Sequence, residues 1–225
     1  NTFGIAKLIP GHDYLNPNFD LIVDDILERD QREKLSLFIK KWLKKKIDTV
    51  LQNLINLKNL KEKNSSIKAL AYQLYESNGV LKRENVFEYL KKLNQNERKI
   101  LRNMGVRFGR YHIFLYKLIK PEPVMIRTLL WKNYHQKYFK LKPPTFGLNF
   151  IDDNNRNKNF MLLCGFEKFD NFFVRIDILE RLFMQIINSG SDTNKEIKLI
   201  PEMLNLLGCS KDNFKKLIQK MNYKI

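Results

Sequence analysis

Arginines and aromatic side chains alternate along one short stretch near the middle of the chain. The cations are Arg102, Arg107, Arg110 and Lys117, and the rings between them are Phe108, Tyr111, His112, Phe114 and Tyr116. Cations neutralise phosphates and exposed rings stack on bases, so this pattern is typical of a surface that binds nucleic acid. Aromatic side chains of an extended segment are also common in protein cores, so we expect only some of these rings at the surface. The candidate binding residues are Arg102, Arg107, Arg110, Tyr111, His112 and Lys117.

A second group of cations follows Gly208. The residues Lys211, Lys215, Lys216 and Lys220 alternate with Phe214, Leu217, Ile218 and Met221, and this spacing predicts a helix with a basic outer face. A preceding helix and the glycine turn complete a helix-turn-helix, whose second helix can lie in a groove of nucleic acid. The same motif is also a common packing unit, so both interpretations stay open. The candidate contacts in this group are Lys211, Lys215 and Lys216.

The charge of the chain favours an acidic partner. Its formal net charge is +17 and its isoelectric point is about 9.8. An AT-rich coding genome also enriches lysine, so the total charge alone does not distinguish a binding surface from compositional bias. The distribution is more informative, because residues 98–142 contain 12 basic residues and a single acidic one, Glu122. Such a local concentration indicates a surface for RNA or DNA.

Motifs for catalysis and metal binding are absent from the sequence. It contains no GxxxxGK[ST] phosphate loop, no GxSxG elbow and no Cys/His nucleophile arrangement. Its two cysteines and three histidines lack metal-ligand spacing, and its paired carboxylates are adjacent residues, which point in different directions on a helix or strand. We therefore expect no catalytic residue, no metal site and no cofactor in this chain, which would not be an enzyme by itself.

The hydrophobic patterning predicts a mainly α, α+β fold. The capping pairs Asp30 with Glu33 and Asn94 with Glu97 each precede apolar residues at helical spacing. The first pair would open a long amphipathic helix whose inner face includes Phe38 and Trp42. A strand is expected over residues 2–9, and an extended or bent segment over residues 106–115. We expect the first part of the chain to be a helical assembly with short strands.

Pro143 and Pro144 mark the expected domain boundary, because consecutive prolines disfavour helix on both sides. The sequence thus predicts a helical accessory domain at residues 1–142 and a small α+β domain at 143–225. In the second domain the polar residues 152–159 indicate an irregular loop. A β-hairpin of residues 160–166 and 171–175 would follow, and then a helix at 176–188 and the helix-turn-helix, giving a winged-helix-like unit. No repeat of fixed period occurs.

The composition is that of a packed globular protein. Hydrophobic residues form 44% of the chain and aromatic residues 12%, and they are spread along its whole length. There is no run of about 18 apolar residues that could span a bilayer, and the first ten residues do not form a signal peptide. We therefore expect a cytoplasmic location and no membrane partner.

Several stretches resemble one protein family. The first reads LRNMGVRFGRYHIFL from Leu101 to Leu115 and continues with Leu118 to Pro121 and with Leu130-Trp131. The second runs from Val174 to Leu182 and is followed by Leu206 to Ser210 and Phe214. In both, the chain resembles the C-terminal region of bacterial superfamily II (DExH-type) helicases similar to the mitochondrial RNA-degradosome helicase, and Ala6 to Pro17 adds a weaker likeness. The chain departs from the family in having Tyr116 where a proline is expected, lysine in place of many arginines, and an Asn-rich loop.

The resemblance implies an accessory segment of a larger ATP-dependent enzyme. Helicases of this type have two RecA-like motor domains that bind ATP, followed by accessory domains that guide the nucleic acid. Because this chain holds none of the motor motifs, ATP and Mg²⁺ are expected as cofactors of the parent protein only. The motor domains are expected in the same polypeptide, N-terminal to Asn1.

Three functions follow from these patterns. The first is a nucleic-acid-binding accessory region that guides the strand for the absent motor domains. The second is a protein-protein docking scaffold within a helicase or RNA-degradation complex, whose basic surface only keeps it soluble. The third is a self-contained helix-turn-helix regulator, which is less favoured because the sequence has no heptad pattern for dimerisation.

Overall fold

The computed structural model of the chain describes residues 4–22, 26–61, 65–188, 197 and 200–224. Helices dominate these residues, and small antiparallel sheets lie among them, so the predicted α+β class is confirmed. In chain order the helices are α1 Arg29–Val50, α2 Gln52–Lys58, α3 Ser65–Glu76, α4 Phe87–Lys92, α5 Gln95–Asn103, α6 Pro121–His135, α7 Lys158–Leu163, α8 Ile176–Asn188, α9 Pro201–Leu207 and α10 Lys211–Lys220. Within the described ranges no helix is both long and apolar enough to cross a membrane.

The strands form three antiparallel sheets. Their bounds are β1 Ala6–Asp13, β2 Asn16–Leu21, β3 Val80–Lys82, β4 Val106–Phe108, β5 His112–Leu115, β6 Phe150–Asp152, β7 Phe166–Phe169 and β8 Phe172–Arg175. The first sheet is the β1–β2 hairpin, the second has the order β3-β5-β4, and the third has the order β6-β8-β7. The strand expected at residues 2–9 is thus β1, which begins later; residues 2 and 3 lie outside the described ranges.

Helix α1 begins two residues earlier than its predicted capping pair. Its N-cap is Glu28, whose backbone N–H donates to Oε1 of Gln31 at 3.2 Å, so Asp30 and Glu33 lie inside the helix. The predicted apolar face is only partly buried, because Phe38 is 64% exposed and Trp42 57% exposed. Helical periodicity shows which residues share a face, but it does not show which part of a long helix has a partner.

Residues 65–115 run in the order α3, β3, α4, α5, β4 and β5. The predicted capping box of α5 is confirmed, since the N–H of Glu97 donates to Asn94 and the N–H of Asn94 donates to Glu97, both at 2.9 Å. Gly105 ends the helix with a φ of +93°, which turns the chain into β4. The extended segment expected at residues 106–115 is therefore the β4–β5 hairpin.

The second three-stranded sheet repeats the arrangement of the first. In each, a strand is followed by one or more helices and by a hairpin whose last strand pairs with the first strand. The turn residues also correspond: Gly165 before β7 has a φ of +86°, like Gly105 before β4. The carbonyl of Gly105 accepts the N–H of Tyr116, and the carbonyl of Gly165 accepts the N–H of Ile176. The chain thus has a structural repeat without a fixed sequence period.

The predicted hairpin of residues 160–166 and 171–175 is placed wrongly in its first strand. Residues 158–163 form α7, in which the side chain of Asn157 caps the N–H of Phe160 at 2.9 Å. Strand β7 occupies residues 166–169, most of which were expected to be the turn. Phe160, Met161 and Leu163 are buried along one side of the short helix, so their apolar run reflects a buried helix rather than a strand. The polar stretch 152–159 includes the end of β6 and the cap of α7.

The later helices follow the prediction. Helix α8 spans Ile176–Asn188, Pro201 opens α9, and Gly208 adopts a left-handed conformation before α10. The side chain of Ser210 caps α10 by accepting the N–H of Asn213. Buried residues of β8, α8, α9 and α10 form one hydrophobic core, so the helix-turn-helix packs on the hairpin that precedes it.

Hydrophobic clusters cross the boundary expected at residues 142 and 143. Val124 of α6 packs with Ile151, Phe160 and Phe173, and Ile176 packs with Phe114 and other residues of the first part. Arg127 of α6 is fully buried and donates to the carbonyls of Asn78 and Leu118 at 2.5 and 2.6 Å, which ties the ends of the β3-β5-β4 sheet to α6. Burial lowers the pKa of Arg127 to about 10. The two sheets are therefore held in a fixed relation by α6.

We predict that Gly165→Ala destabilises the chain by about 2–4 kcal/mol, because a left-handed alanine is strained and its Cβ would lie 2.7 Å from Ile119. Gly147→Ala is the matched control: its φ is also positive, but no atom lies within 4 Å, so we expect a loss of about 1–2 kcal/mol. Urea unfolding measures both. Equal losses would show that the contact between Gly165 and Ile119 is not tight.

Candidate nucleic-acid interface

A basic groove lies between the β4–β5 hairpin and α8. It has a volume of about 1040 Å³ and is open to solvent. Seven cationic side chains line it against two acidic ones, Asp177 and Glu180. The cations are Arg83, Arg102, Arg107, Arg110, Arg175, Arg181 and Lys120. We call this surface the arginine groove.

The carboxylate of Glu180 holds the tip of the hairpin. It accepts the backbone N–H groups of Arg110, Tyr111 and His112 at 2.5, 2.9 and 2.9 Å. Gly109 leaves room for this carboxylate, since a Cβ there would lie within 2.6 Å of the Glu180 oxygens and would displace them from the tip. Three N–H donors on one carboxylate fix both partners, because each bond to an ionised group is stronger than a neutral one. The hairpin tip is therefore tied to α8.

Arg83 holds the same tip from the other side. Its guanidinium donates to the carbonyl of Gly109 at 2.7 Å, and its backbone N–H donates to the carbonyl of Tyr111 at 2.8 Å. The turn is closed by the N–H of Gly109, which donates to the carbonyl of His112 at 2.8 Å. The hairpin therefore presents Arg107 and Arg110 from a rigid backbone.

The exposed arginines of the hairpin region lie over aromatic rings. Arg102 is 5.6 Å from the ring centre of Phe108, Arg107 is 5.9 Å from that of Tyr116, and Arg110 is 5.6 Å from that of Phe183. Across the described part of the chain none of these three arginines forms an ion pair with a carboxylate. Cation–π contacts orient a guanidinium without neutralising it. The three arginines therefore remain available to an anionic ligand.

Both acidic groups of the arginine groove accept hydrogen bonds from other groups of the protein. Asp177 accepts two hydrogen bonds from Arg175, at 2.6 and 3.2 Å, and Glu180 accepts the hairpin N–H groups. Both carboxylates are thus bound to partners within the protein, and the groove presents an excess of positive charge to solvent.

A buried cluster of charged groups joins the two three-stranded sheets behind the hairpin. Nε2 of His112 lies 3.0 Å from Glu167 of β7, and Nζ of Lys82 lies 3.1 Å from the other oxygen of that carboxylate. Nδ1 of His112 lies 3.7 Å from Glu180. Burial favours the neutral imidazole, but the bond to Glu167 and the two carboxylate charges outweigh it and raise the pKa of His112 above 6.5. Burial also opposes ionisation of Glu167, yet His112 and Lys82 lower its pKa below 4.5.

The structure sorts the residues predicted for the central stretch into two groups. Arg102, Arg107 and Arg110 are exposed in the arginine groove, and Lys117 is exposed outside its described lining. Tyr111 is half-buried with its ring edge-on to Phe183 at 5.5 Å. His112 is only 2% exposed and is enclosed by the two carboxylates. Its expected place on the binding surface does not agree with this burial, because β5 is the central strand of its sheet and all four of its residues are buried.

The rings of the same stretch are mostly covered. Phe114 is buried, Phe108 is half-buried under arginines, and Tyr116 is the most exposed of the group at 36%. The phenol oxygen of Tyr116 accepts a hydrogen bond from Lys120 at 2.9 Å. The central stretch therefore offers cations for phosphates but few free ring faces for bases.

The lysines predicted on the helix-turn-helix lie on a different surface. Lys211, Lys215 and Lys216 of α10 are exposed, while Phe214, Leu217 and Ile218 are buried, as the spacing predicts. None of the three lysines belongs to the described lining of the arginine groove. The structure thus separates the two predicted groups of cations.

Six charged residues of the groove were not predicted from the sequence: Arg83, Lys120, Arg175, Asp177, Glu180 and Arg181. Four of them come from residues 174–182, where two acidic and two basic residues balance, so the local net charge gives no signal. Arg83 lies in a short 3-10 helix after β3, far from the central stretch in sequence. Only the packing of α8 against the hairpin brings them together.

The described residues contain no group of three or more His, Cys, Asp or Glu side chains that could hold a metal ion. Cys164 is buried and Cys209 is half-buried, and burial raises the pKa of the two thiols to about 12 and about 11. Both sulfurs are therefore protonated thiols near neutral pH.

Comparisons of the chain with protein-family models, with curated proteins and with solved structures found no match. The geometry and charge of the site are therefore the basis for inferring its function.

We predict opposite pH dependences for the two members of the buried cluster. The folded pKa of His112 is raised, so its stabilisation is fully present below pH 6.5 and is lost as the pH rises through the folded pKa. The folded pKa of Glu167 is lowered, so its stabilisation is present above pH 4.5 and is lost as the pH falls through the folded pKa. His112→Gln should flatten the decline in unfolding free energy on the alkaline side, as measured by urea unfolding across the pH range. Because His112 also lowers the pKa of Glu167, the same variant should reduce part of the decline on the acid side.

His135→Gln is the control, because the contribution of His135 to stability changes with pH in the opposite direction to that of His112. Desolvation and Lys137 lower the pKa of the exposed His135, so this residue disfavours the folded state as the pH falls below 6.5. An unchanged pH profile in His112→Gln would show that the buried cluster does not take up a proton on folding.

Proposed function

We propose that this chain binds nucleic acid through the arginine groove and acts as an accessory region of an ATP-dependent helicase. The single observation that carries the binding proposal is the set of exposed arginines that lie over aromatic rings and have no carboxylate partner among the described residues. An oriented, unpaired guanidinium matches phosphate oxygens and loses little side-chain entropy on binding. Release of counterions from the nucleic acid then contributes to affinity.

The order of elements in residues 65–115 supports this assignment. A helix, a strand, two helices and a β-hairpin follow one another, which is the order found in winged-helix modules. In that arrangement α5 takes the position of the recognition helix and the β4–β5 hairpin that of the wing. Arg102 on α5 and Arg107 on β4 both line the arginine groove, so both elements would contact the same ligand.

The helicase part of the proposal rests on the resemblance of residues 101–121 and 174–182 to the accessory region of superfamily II helicases. These two stretches supply much of the described lining of the arginine groove, including Arg107, Arg110 and Glu180. In this proposal the groove guides a strand relative to motor domains elsewhere in the same polypeptide, and ATP and Mg²⁺ bind only to those domains.

We expect Arg107→Ala/Arg110→Ala to weaken binding of a fluorescent RNA or DNA oligonucleotide and to reduce its salt dependence. Two lost phosphate contacts would lower the slope of log K against log salt concentration by about 1.4–1.8. Fluorescence anisotropy at several salt concentrations measures both effects. The far-UV circular dichroism of the variant should be unchanged, since both side chains are exposed.

Lys215→Ala/Lys216→Ala removes the same charge from the helix-turn-helix and is the matched comparison. A smaller effect than that of the arginine pair is expected if the ligand lies in the arginine groove. A larger effect would place the ligand on α10 instead. Wild-type chain that fails to bind any oligonucleotide at low salt would refute the binding proposal.

The coding sequence upstream of Asn1 tests the helicase part separately. We expect it to encode a GxxxxGK[ST] phosphate loop and a DExH motif. If it encodes neither, the binding proposal stands on its own titration and the helicase assignment is withdrawn.

The alternative function, a protein-protein docking scaffold, is favoured by the exposed apolar side chains of α1. Leu37, Phe38 and Trp42 are each more than half exposed, next to a row of lysines. An exposed apolar patch of this kind often contacts a partner. Under the main proposal, Phe38→Ser/Trp42→Ser should leave oligonucleotide affinity unchanged. The scaffold would be supported if the wild-type chain pulled down the motor domains and this variant did not.

A further inference from the structure

We infer that a second cleft, at the C-terminal end of α6, takes an unstacked base of a single-stranded nucleic acid that continues from the arginine groove. This inference rests on the proposed binding function and names its substrate class as single-stranded. We call the site the aromatic cleft. It is bounded by Trp131, His135 and Tyr138 on one side and by β3 and α7 on the other.

The aromatic cleft offers a stack of partly exposed rings, whereas most rings of the arginine groove are covered. Trp131 and Tyr138 are stacked, with ring centres 4.7 Å apart and planes 17° from parallel, and His135 lies 4.6 Å from Trp131. His135 is exposed, and Tyr138 is half-buried. A base that stacks on this cluster extends an existing stack, and such stacking is independent of base identity. Desolvation and Lys137 lower the pKa of His135, so its ring is neutral near pH 7.

The charge of the aromatic cleft suits a phosphate beside the base. Lys82, Lys137 and Lys158 line it, and its described lining contains no aspartate or glutamate. Lys82 is paired with Glu167, whereas Lys137 lies 4.9 Å from the ring centre of Tyr138. Both Lys137 and Lys158 are exposed. The cleft volume of about 580 Å³ lies within the range of roughly 300–1,000 Å³ that is typical of pockets for small organic ligands, so one nucleotide fits.

The two surfaces are linked by a third cleft of about 530 Å³. It shares Arg83 and Arg110 with the arginine groove, and it shares Lys82 with the aromatic cleft. Its cations are Lys82, Arg83, Arg110, Lys168 and Lys220, and its acidic residues are Glu84, Glu167 and Asp170, so it carries a small excess of positive charge. This third cleft is the path by which a strand would pass the hairpin tip from one surface to the other. Bases of a duplex are stacked and paired and cannot enter a cleft of this kind, so the path selects a single strand.

The test uses the full chain with Trp42→Phe. The protein has two tryptophans, so this exposed substitution leaves Trp131 as the sole tryptophan. The probes are a uridine 12-mer and a 12-base-pair RNA duplex, each with a terminal fluorophore, so that anisotropy reports binding and tryptophan emission reports contact at the cleft. We expect the single strand to quench Trp131 in parallel with the rise in anisotropy, and the duplex to bind without quenching.

Substitutions then separate charge from stacking. Lys137→Glu/Lys158→Glu should weaken binding of the 12-mer by about tenfold, since two phosphate contacts become repulsive. Lys41→Glu/Lys45→Glu on α1 changes the charge equally and should have a smaller effect. Tyr138→Ala should weaken binding by about fivefold or more, and Tyr138→Phe, which keeps the ring, should restore it. Circular dichroism checks that each variant is folded.

Two results would overturn the inference. If the 12-mer binds and depends on Arg107 and Arg110 but does not quench Trp131, the arginine groove binds nucleic acid and the aromatic cleft does not. If Lys137→Glu/Lys158→Glu binds the 12-mer as tightly as the α1 control, the strand does not reach the cleft. Failure of the wild-type chain to bind either probe would instead remove the proposed function itself.

Discussion

The carboxylate of Glu180 is the contact on which the proposed binding surface depends. It accepts three consecutive backbone N–H groups at the tip of the β4–β5 hairpin, where a turn would otherwise leave these donors to water. Gly109 makes room for the carboxylate, and Arg83 ties the same turn from the opposite side. Because Glu180 belongs to α8, which directly follows β8, the β4–β5 hairpin is fixed relative to the β6-β8-β7 sheet. The arginine groove exists only in this arrangement.

The same contact explains the electrostatics of the groove. An acidic residue beside exposed arginines would normally neutralise one of them, but Glu180 is directed at backbone N–H groups and Asp177 at Arg175. Arg102, Arg107 and Arg110 lie instead over aromatic rings, which orient them and leave their charge intact. The aromatic residues of the central stretch therefore act mainly as supports for cations. Free stacking surface lies elsewhere, at the end of α6.

The repeated strand, helix and hairpin arrangement accounts for the position of both surfaces. Two sheets of the same topology pack on α6, and an ionic cluster of the buried His112 and Glu167 with the partly exposed Lys82 joins them. The side of this junction that faces α8 forms the arginine groove, and the side that faces the end of α6 forms the aromatic cleft. Because burying ionic groups costs free energy, the main effect of this cluster is to fix the relative position of the sheets.

The sequence by itself determined the local features of this protein. Capping by Asn94, proline starts at α6 and α9, the glycine turn before α10 and the basic face of α10 all depend on residues within a few positions of one another. The exposed arginines of the central stretch were also predictable, because charge is rarely buried without a partner. Helix α7 was mistaken for a strand because a short buried apolar run carries no period that distinguishes the two.

Only the tertiary structure decided which of these residues meet. The exposed part of α1, the burial of His112, and the membership of Arg83, Arg175, Glu180 and Arg181 in one groove all depend on contacts between distant segments. Spacing along the chain shows which side chains share a face, but it does not show what that face packs against. Glu180 illustrates the reason: in sequence it is one charge in a balanced helix, and in the fold it holds a hairpin some seventy residues away.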